Sequence, residues 1–323
     1  MGALYVAGSL NMDLTMQADR VPGAGETLPG HDFLTTPGGK GANQAAAAAH
    51  LGARVHMLGA VGQDGFGREL KDNLARFGAD VEGVLAVPAA TGVAMIAVSQ
   101  GDNRILVAAG ANGMVEAADL EKALDAAEAG DILAAQLEIP LPSVLAALKK
   151  AKAKGMKTVL NPAPVLPHPL PDEFYAVSDI LVPNEHECKQ LSGIDPVDEG
   201  SIRAAGAFFA ARGVKELIIT LGSRGAAWVH EGTLTMIPSV KVKAIDSTSA
   251  GDCFIGCLCA SLLEGFDLAD ALCRSVRAGA LAVTRAGAQV SRPSRAELED
   301  FIRLLPCCGI IPVPRHKIVP VKP

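Results

Sequence analysis

Short apolar runs recur along the chain at 4–8, 55–59, 132–137, 158–161, 180–182 and 217–221, each closed by polar, Gly or Pro residues. Between them lie stretches whose apolar positions return every three to four residues, the spacing of helices with one buried face. Such alternation predicts an α/β fold, a largely parallel central sheet covered by helices on both faces. Ligands in such folds gather at the carboxyl ends of the strands.

Three regions break the pattern. Two β-prone runs, 93–98 and 104–108, flank Gln100-Gly101-Asp102-Asn103 and predict a hairpin. The segment 10–36 is helix-poor and holds Pro22, Gly23, Gly25, Pro29 and Gly30. Together, roughly 10–36 and 91–110 predict a small sheet or lid beside the main domain; two irregular surface loops are the plainer alternative. The last segment, 306–323, carries five prolines, Cys307-Cys308 and no acidic side chain. It can neither build a helix nor pair centrally in a sheet, and reads as an extended, disordered or extraneous tail to a single domain over 1–305.

A chain of 323 residues can bury a substantial core without staples. Its 29 Lys+Arg against 35 Asp+Glu, a net charge of −6, argue against reading nucleic acid or an anionic membrane by charge. The first strand begins without a basic leader, and no apolar stretch approaches the ~18 residues of a membrane span, so a cytoplasmic location is expected. Seven cysteines with no Cys-x-x-Cys pair read as reduced thiols.

The chemistry concentrates in four stretches. In Asp246-Ser247-Thr248-Ser249-Ala250-Gly251-Asp252, helical periodicity starts at Asp252 and runs through Phe254, Cys257, Leu258, Ser261 and Leu262. Small residues before Asp252 let backbone N–H groups at a helix N-terminus face an anion, beside a carboxylate base, a layout suited to phosphoryl transfer. The competing reading is an ordinary acidic residue in a first helical turn. Pro37-Gly38-Gly39-Lys40-Gly41-Ala42-Asn43-Gln44 lets a polar ligand approach the backbone, yet fits neither a Walker A loop nor a dinucleotide fingerprint. It also fits a glycine-rich turn before an alanine helix. Asn11 and Asp13, two apart on an extended chain, point the same way and can grip vicinal hydroxyls, unless they only form a turn. Asn184 and Glu187 share one side of a helical turn, where they can meet phosphate and hydrated Mg²⁺ or simply cap the helix, and Gly222-Ser223-Arg224-Gly225 can let a nucleotide lie on the backbone or merely turn the chain.

In this order, the stretches resemble the ribokinase family of carbohydrate and nucleoside kinases over roughly 4–293. Gly38 to Gln44 looks like the family's first signature and Asp246 to Asp252 like its second. Asn11-Met12-Asp13, Thr91-Gly92-Val93-Ala94, Ala109-Gly110-Ala111-Asn112, Gln136-Leu137-Glu138-Ile139-Pro140 and Val283 to Gln289 resemble its ribose-phosphorylating branch. The resemblance implies a three-layer α/β/α sandwich with a β lid that also serves as a dimer surface. It implies ATP as phosphoryl donor, with Asp252 as base and the Ala250–Gly251 amides as anion hole. Asn11, Asp13, Gly39, Lys40, Asn43, Glu138, Asp246 and Asp252 would surround the sugar. Asn184, Thr220, Gly222, Ser223, Gly225, Ala250 and Gly251 would line the nucleotide, with Glu187 acting on Mg²⁺ through water. A K⁺ site is implied at Asp246, Thr248, Ala282, Gly287 and Ser291. Two departures stand out: Ser249 replaces the usual Gly or Ala, and 274–279 lacks the asparagine expected near adenine. Met12 is the residue expected to tune the acceptor, with deoxyribose, fructose or a nucleoside as rivals to ribose. A non-catalytic sugar- or nucleotide-binding protein on the same fold is the other alternative, against which both Asp246 and Asp252 speak.

Overall fold

The computed structural model describes residues 2–100, 102–289 and 291–305, and the backbone of 311–313. Strands β1 (Leu4–Ala7), β2 (Asn11–Gln17) and β3 (His31–Gly38) precede helix α1 (Lys40–His50). Next come β4 (Val55–Gly62), α2 (Gly65–Arg76), β5 (Val84–Val87), β6 (Gly92–Ser99) and β7 (Asp102–Ala108). The middle of the chain alternates: α3 (Ala117–Ala123), β8 (Ile132–Ala135), α4 (Leu141–Ala153), β9 (Lys157–Leu160), α5 (Asp172–Ala176), β10 (Ile180–Leu181), α6 (Glu185–Ser192), α7 (Glu199–Ala210) and β11 (Glu216–Thr220). Antiparallel β12 (Ala226–His230) and β13 (Thr233–Ile237) follow, then α8 (Ala250–Leu263), α9 (Leu268–Ala282), α10 (Arg295–Leu304) and β14 (Ile311–Val313).

The main sheet runs β14-β13-β12-β11-β10-β9-β8-β1-β4-β5 and is parallel from β11 to β5. Period-2 alternation divides its side chains between two cores. Leu4 and Val6 of β1 face a layer holding α1, α2, α8, α9 and α10, whereas Tyr5 and Ala7 face the layer of α3 to α7. All six predicted core strands are present. The antiparallel β12–β13 pair adds strands beyond them, and half-exposed β5 is too short and mixed in character to announce itself.

The helix-poor segment and the hairpin do form a second sheet, ordered β3-β2-β6-β7. It is mixed, because β2 pairs parallel with β6 and antiparallel with β3. Within the proline-rich tail, Ile311–Val313 pairs antiparallel with β13 at the sheet's outer edge, opposite Met236 to Leu234. Pro312 is tolerated there because an edge strand leaves one row of donors unpaired. The remaining tail, 306–310 and 314–323, with Cys307 and Cys308, lies outside the described residues. Cys188, Cys253, Cys257 and Cys259 are buried free thiols, Cys273 is buried as well, and among the described residues no helix is long and apolar enough to cross a membrane.

Candidate functional site

The chain leaves β1 for the small sheet, winds out to β5, and returns as β8 on the other side of β1. That reversal opens a crevice at the strand ends, the usual ligand position in open α/β sheets. Ser9 follows β1 and Glu138 follows β8, and they meet there: the Ser9 hydroxyl donates to Glu138 Oε2, as does the Lys40 backbone N–H at 3.1 Å. Gly39 caps α1 at φ 89, and a β-carbon would stand 2.7 Å from the Asn11 nitrogen and 2.8 Å from the Ser9 carbonyl, so the turn accepts only glycine. Asn112 fixes the strand start, with Nδ2 donating to Asn11 Oδ1 at 2.8 Å and Oδ1 accepting from Leu10 N at 2.9 Å.

Asp252 lies in the first turn of α8 and is 7% exposed. Three side chains hold its carboxylate: Asn43 Nδ2 at 3.1 Å and Ser249 Oγ at 3.1 Å on Oδ2, and Gln44 Nε2 at 3.2 Å on Oδ1. Behind them, Gln136 donates to Gln44 Oε1 at 2.6 Å, Gln44 reaches Asn161 at 3.3 Å, and Gln289 donates to Asn43 Oδ1 at 3.1 Å. A buried amide network of this kind restrains rotamers, because each amide is tied to a neighbour, although Gln136 Oε1 itself has no partner among the described residues. An acidic residue serving only as a first-turn charge needs no such framework.

Electrostatics separate the carboxylates. Burial first, then repulsion from Glu138 and Asp252, push Asp13 up to about 7. Glu187 is also raised, chiefly by burial, against hydrogen bonding from the Asn184 backbone and attraction from Lys40. Lys40 is the counterweight: burial works against its charge, but Asp252, Glu138 and Glu187 together outweigh it and raise its pKa. The pocket is therefore rich in acceptors and poor in cations, which suits a neutral polyol whose hydroxyls donate.

Two adjoining cavities share Asn184, Thr220 and Gly251 on their walls. The smaller, 170 Å³, is walled by Lys40, Glu187, Ser249 and Asp252. The larger, 830 Å³, is lined by all seven residues expected at the nucleotide: Asn184, Thr220, Gly222, Ser223, Gly225, Ala250 and Gly251. Its far wall is apolar, with Val240, Val242, Phe254, Val276 and Val283, and accepts a flat heteroaromatic ring. No asparagine stands on α9 at this wall; Val276 and Gly279 face the groove, while Arg274 turns away to pair with Glu299 and Arg277 to the Leu305 carbonyl.

Asn184 and Glu187 form a capping box, Asn184 Oδ1 accepting from Glu187 N at 2.8 Å and Glu187 Oε2 from Asn184 N at 2.9 Å. The capping reading therefore holds, and the same buried carboxylate also walls the smaller cavity. Among the described residues no group of three or more His, Cys, Asp or Glu is arranged to hold a metal.

Two sequence expectations are placed differently by the structure. Asp246 lies apart from the carboxylate cluster: Thr248 N and Gly287 N, both at 2.9 Å, draw its carboxylate toward the loop after α9, and like Asn11, Asp13, Gly39, Asn43 and Glu138 it lines neither cavity. Burial works against its charge, but hydrogen bonding from the Thr248 side chain and from the Gly287 and Thr248 backbone outweighs it and lowers its pKa. The loops expected to hold K⁺ do meet at that point, with Ile245 N and Asp246 N both donating to the Val283 carbonyl; nearby, Ala282 ends α9 and buried Ser291 donates to the Ala288 carbonyl. Met12 cannot touch an acceptor directly, because it is fully buried in the core on the strand face opposite Asn11 and Asp13. Sequence reasoning missed the parts played by Gln44 and Asn161. Only Gln44 carried a signal, as a polar residue beside Asn43 in an otherwise alanine-rich helix.

The model of the pfkB family carbohydrate kinases matches residues 1–295. A ribokinase of Haemophilus influenzae is 38% identical over 301 residues, covering 93% of this chain and 98% of that protein. A deoxyribokinase of Salmonella typhimurium is 36% identical over 304 residues, 93% of this chain and 99% of that one. The structure of an Arabidopsis thaliana ribokinase complexed with ribose and ATP superposes with a TM-score of 0.87 at 31% identity, covering 94% of this chain and 99% of that one. With the family pattern spanning both cavities and whole-length relatives on either side of it, the chain belongs to the pfkB family of carbohydrate kinases.

Proposed function

We propose that the protein transfers the γ-phosphoryl group of ATP to the 5-hydroxyl of D-ribose. One observation supports the reading: the triply held Asp252 carboxylate walls the smaller cavity, which adjoins the apolar-walled groove, and its charge is felt by Asp13 in the acceptor cluster. Ribose donates its hydroxyls to Asp13 and Glu138, with Asn11, Asn43, Gly39 and Lys40 around it. The nucleotide occupies the larger cavity, its terminal phosphate at the Ala250–Gly251 amides, where the helix dipole favours negative charge. Asp252 takes the hydroxyl proton as the oxygen attacks in line. Because the transferring group carries most of the charge, positioning and amide donation contribute more to rate than proton removal. Bound Mg²⁺ supplies charge neutralisation at the phosphates, and Glu187 would orient its water shell. Asp246 and Thr248, with oxygens of Ala282, Gly287 and Ser291, are the residues that would hold K⁺.

The small sheet closes over the acceptor and also pairs with a second copy. Phe33, Leu34, Met95, Ile105, Leu106 and Val107 are more than half exposed, and β7 is exposed along its length. A lone chain rarely leaves so apolar an edge uncovered.

The test is ADP release across ribose, deoxyribose, fructose and nucleosides, each with K⁺ or Na⁺, for the wild type and Asp252→Asn. Ribose is expected to be turned over fastest, faster in K⁺, and Asp252→Asn to lose at least ~100-fold in kcat while still binding ribose by calorimetry. Brisk turnover of another acceptor with ribose inert refutes the substrate, and near-normal turnover by the variant refutes the base.

A further inference from the structure

Two locally unfavourable features meet behind the start of α8. Ser249, the residue preceding that helix, sits at φ 62 in the left-handed region, which non-glycine residues enter at a cost. Arg292 is 2% exposed, and among the described residues no carboxylate pairs with it. Its Nη2 donates to Ser249 Oγ at 2.8 Å, while Nε and Nη1 have no hydrogen-bond partner among the described residues. A guanidinium buried on these terms weakens the fold, since apolar replacement of buried ions is often neutral or stabilising. The two features touch at one hydroxyl, and that hydroxyl touches Asp252.

We propose that Arg292 is a positioning residue: by occupying an acceptor site of Ser249 Oγ it commits that hydroxyl's single proton to Asp252 Oδ2, fixing the carboxylate for reaction. A serine hydroxyl has one proton and two lone pairs, so a donor on one side aims the proton to the other. Asn43 shares Oδ2 and Gln44 holds Oδ1, which leaves Ser249 the contact on the α8 side. Burial lowers the Arg292 pKa to about 10, so the side chain stays a cation and a donor at neutral pH. Neither wall of the two cavities includes Arg292; beyond a direct charge attraction to Asp252, its hydrogen bond toward the base runs through Ser249.

The inference rests on Asp252 being the base, and the experiment separates the two. Steady-state kcat and ribose KM are measured for Ser249→Ala, Arg292→Met and their double variant, with Asp252→Asn alongside and thermal midpoints for all. Each single change is expected to lower kcat about tenfold with ribose KM within about twofold, as misorientation without lost binding would. The double variant should fall no lower than the worse single, because both act through one hydroxyl. Arg292→Lys, which can still donate, should recover part of the rate, whereas a purely structural role would move the thermal midpoint and leave kcat of the folded enzyme alone. Losses that multiply in the double variant, or wild-type kcat in Arg292→Met, overturn the proposal while leaving the base assignment intact. An active Asp252→Asn overturns both. If Arg292→Met does not fold, the same comparison made with Arg292→Lys, alone and with Ser249→Ala, decides it.

Discussion

Asparagine in place of Asp13 should make the folded protein less sensitive to alkaline pH. Asp13 shares its pocket with Glu138 and Asp252, and among the described residues no hydrogen bond reaches its carboxylate. Its pKa, about 7 against an ordinary 3.8, means that the native state binds a proton the unfolded chain releases. The stabilisation is complete below pH 3.8 and is lost as pH rises through about 7, the reverse of a salt-bridged aspartate. Between pH 5 and the folded value lie about two pH units, at ~1.4 kcal/mol each, so this one group withdraws at most roughly 3 kcal/mol over that window. Water reaching a pocket open to ligand screens the repulsion and reduces the figure, taken here as roughly by half. An asparagine of the same shape removes the titration. The difference in stability between variant and wild type should therefore grow by roughly 1.5 kcal/mol in the variant's favour from pH 5 to pH 8, or about 3 °C in thermal midpoint for a domain of this size. Thermal unfolding of both proteins at the two pH values measures it. A difference that stays constant with pH, or moves toward the wild type, refutes the electrostatic account of this pocket.

Gly256→Ala should shift the helices that set the base: its β-carbon would lie 2.6 Å from that of Ala47 and 2.7 Å from the Gln44 carbonyl. A loss of about 1–3 kcal/mol together with reduced kcat is expected, since α1 cannot move without drawing Gln44 from Asp252; unchanged unfolding and kinetics would contradict the packing. Glu187→Gln keeps an acceptor for the Asn184 N–H, so it should cost less than ~1 kcal/mol of stability but raise the Mg²⁺ concentration for half-maximal rate several-fold. If only stability changes, Glu187 is a cap and nothing more. Leu106→Lys places a charge on a side chain 74% exposed in β7 and should yield a folded monomer by light scattering; a dimer in both proteins argues for a different interface.

Period-3.6 and period-2 patterning, with the turn chemistry of 99–103, was enough to read the layer order, the core strands and a separate small sheet from the sequence. These are local properties, written in neighbouring residues. The site was legible in part for the same reason: glycine spacing announced the turn before α1, and a run of small residues announced the amides before Asp252. The resemblance set Asp246 beside the sugar, and nothing local to the chain reveals that two backbone N–H groups, one contributed by Gly287, turn its carboxylate toward the loop after α9. Met12 was misjudged because adjacency to Asn11 and Asp13 hides the face it occupies, which the core beneath β2 decides. The elevated pKa of Asp13, the amide cradle around Asp252 and the buried Arg292 arise between residues 40 to more than 200 positions apart. Composition and local pattern determine which elements form; which charges face one another depends on how the strand order reverses around β1, and only the folded chain settles that.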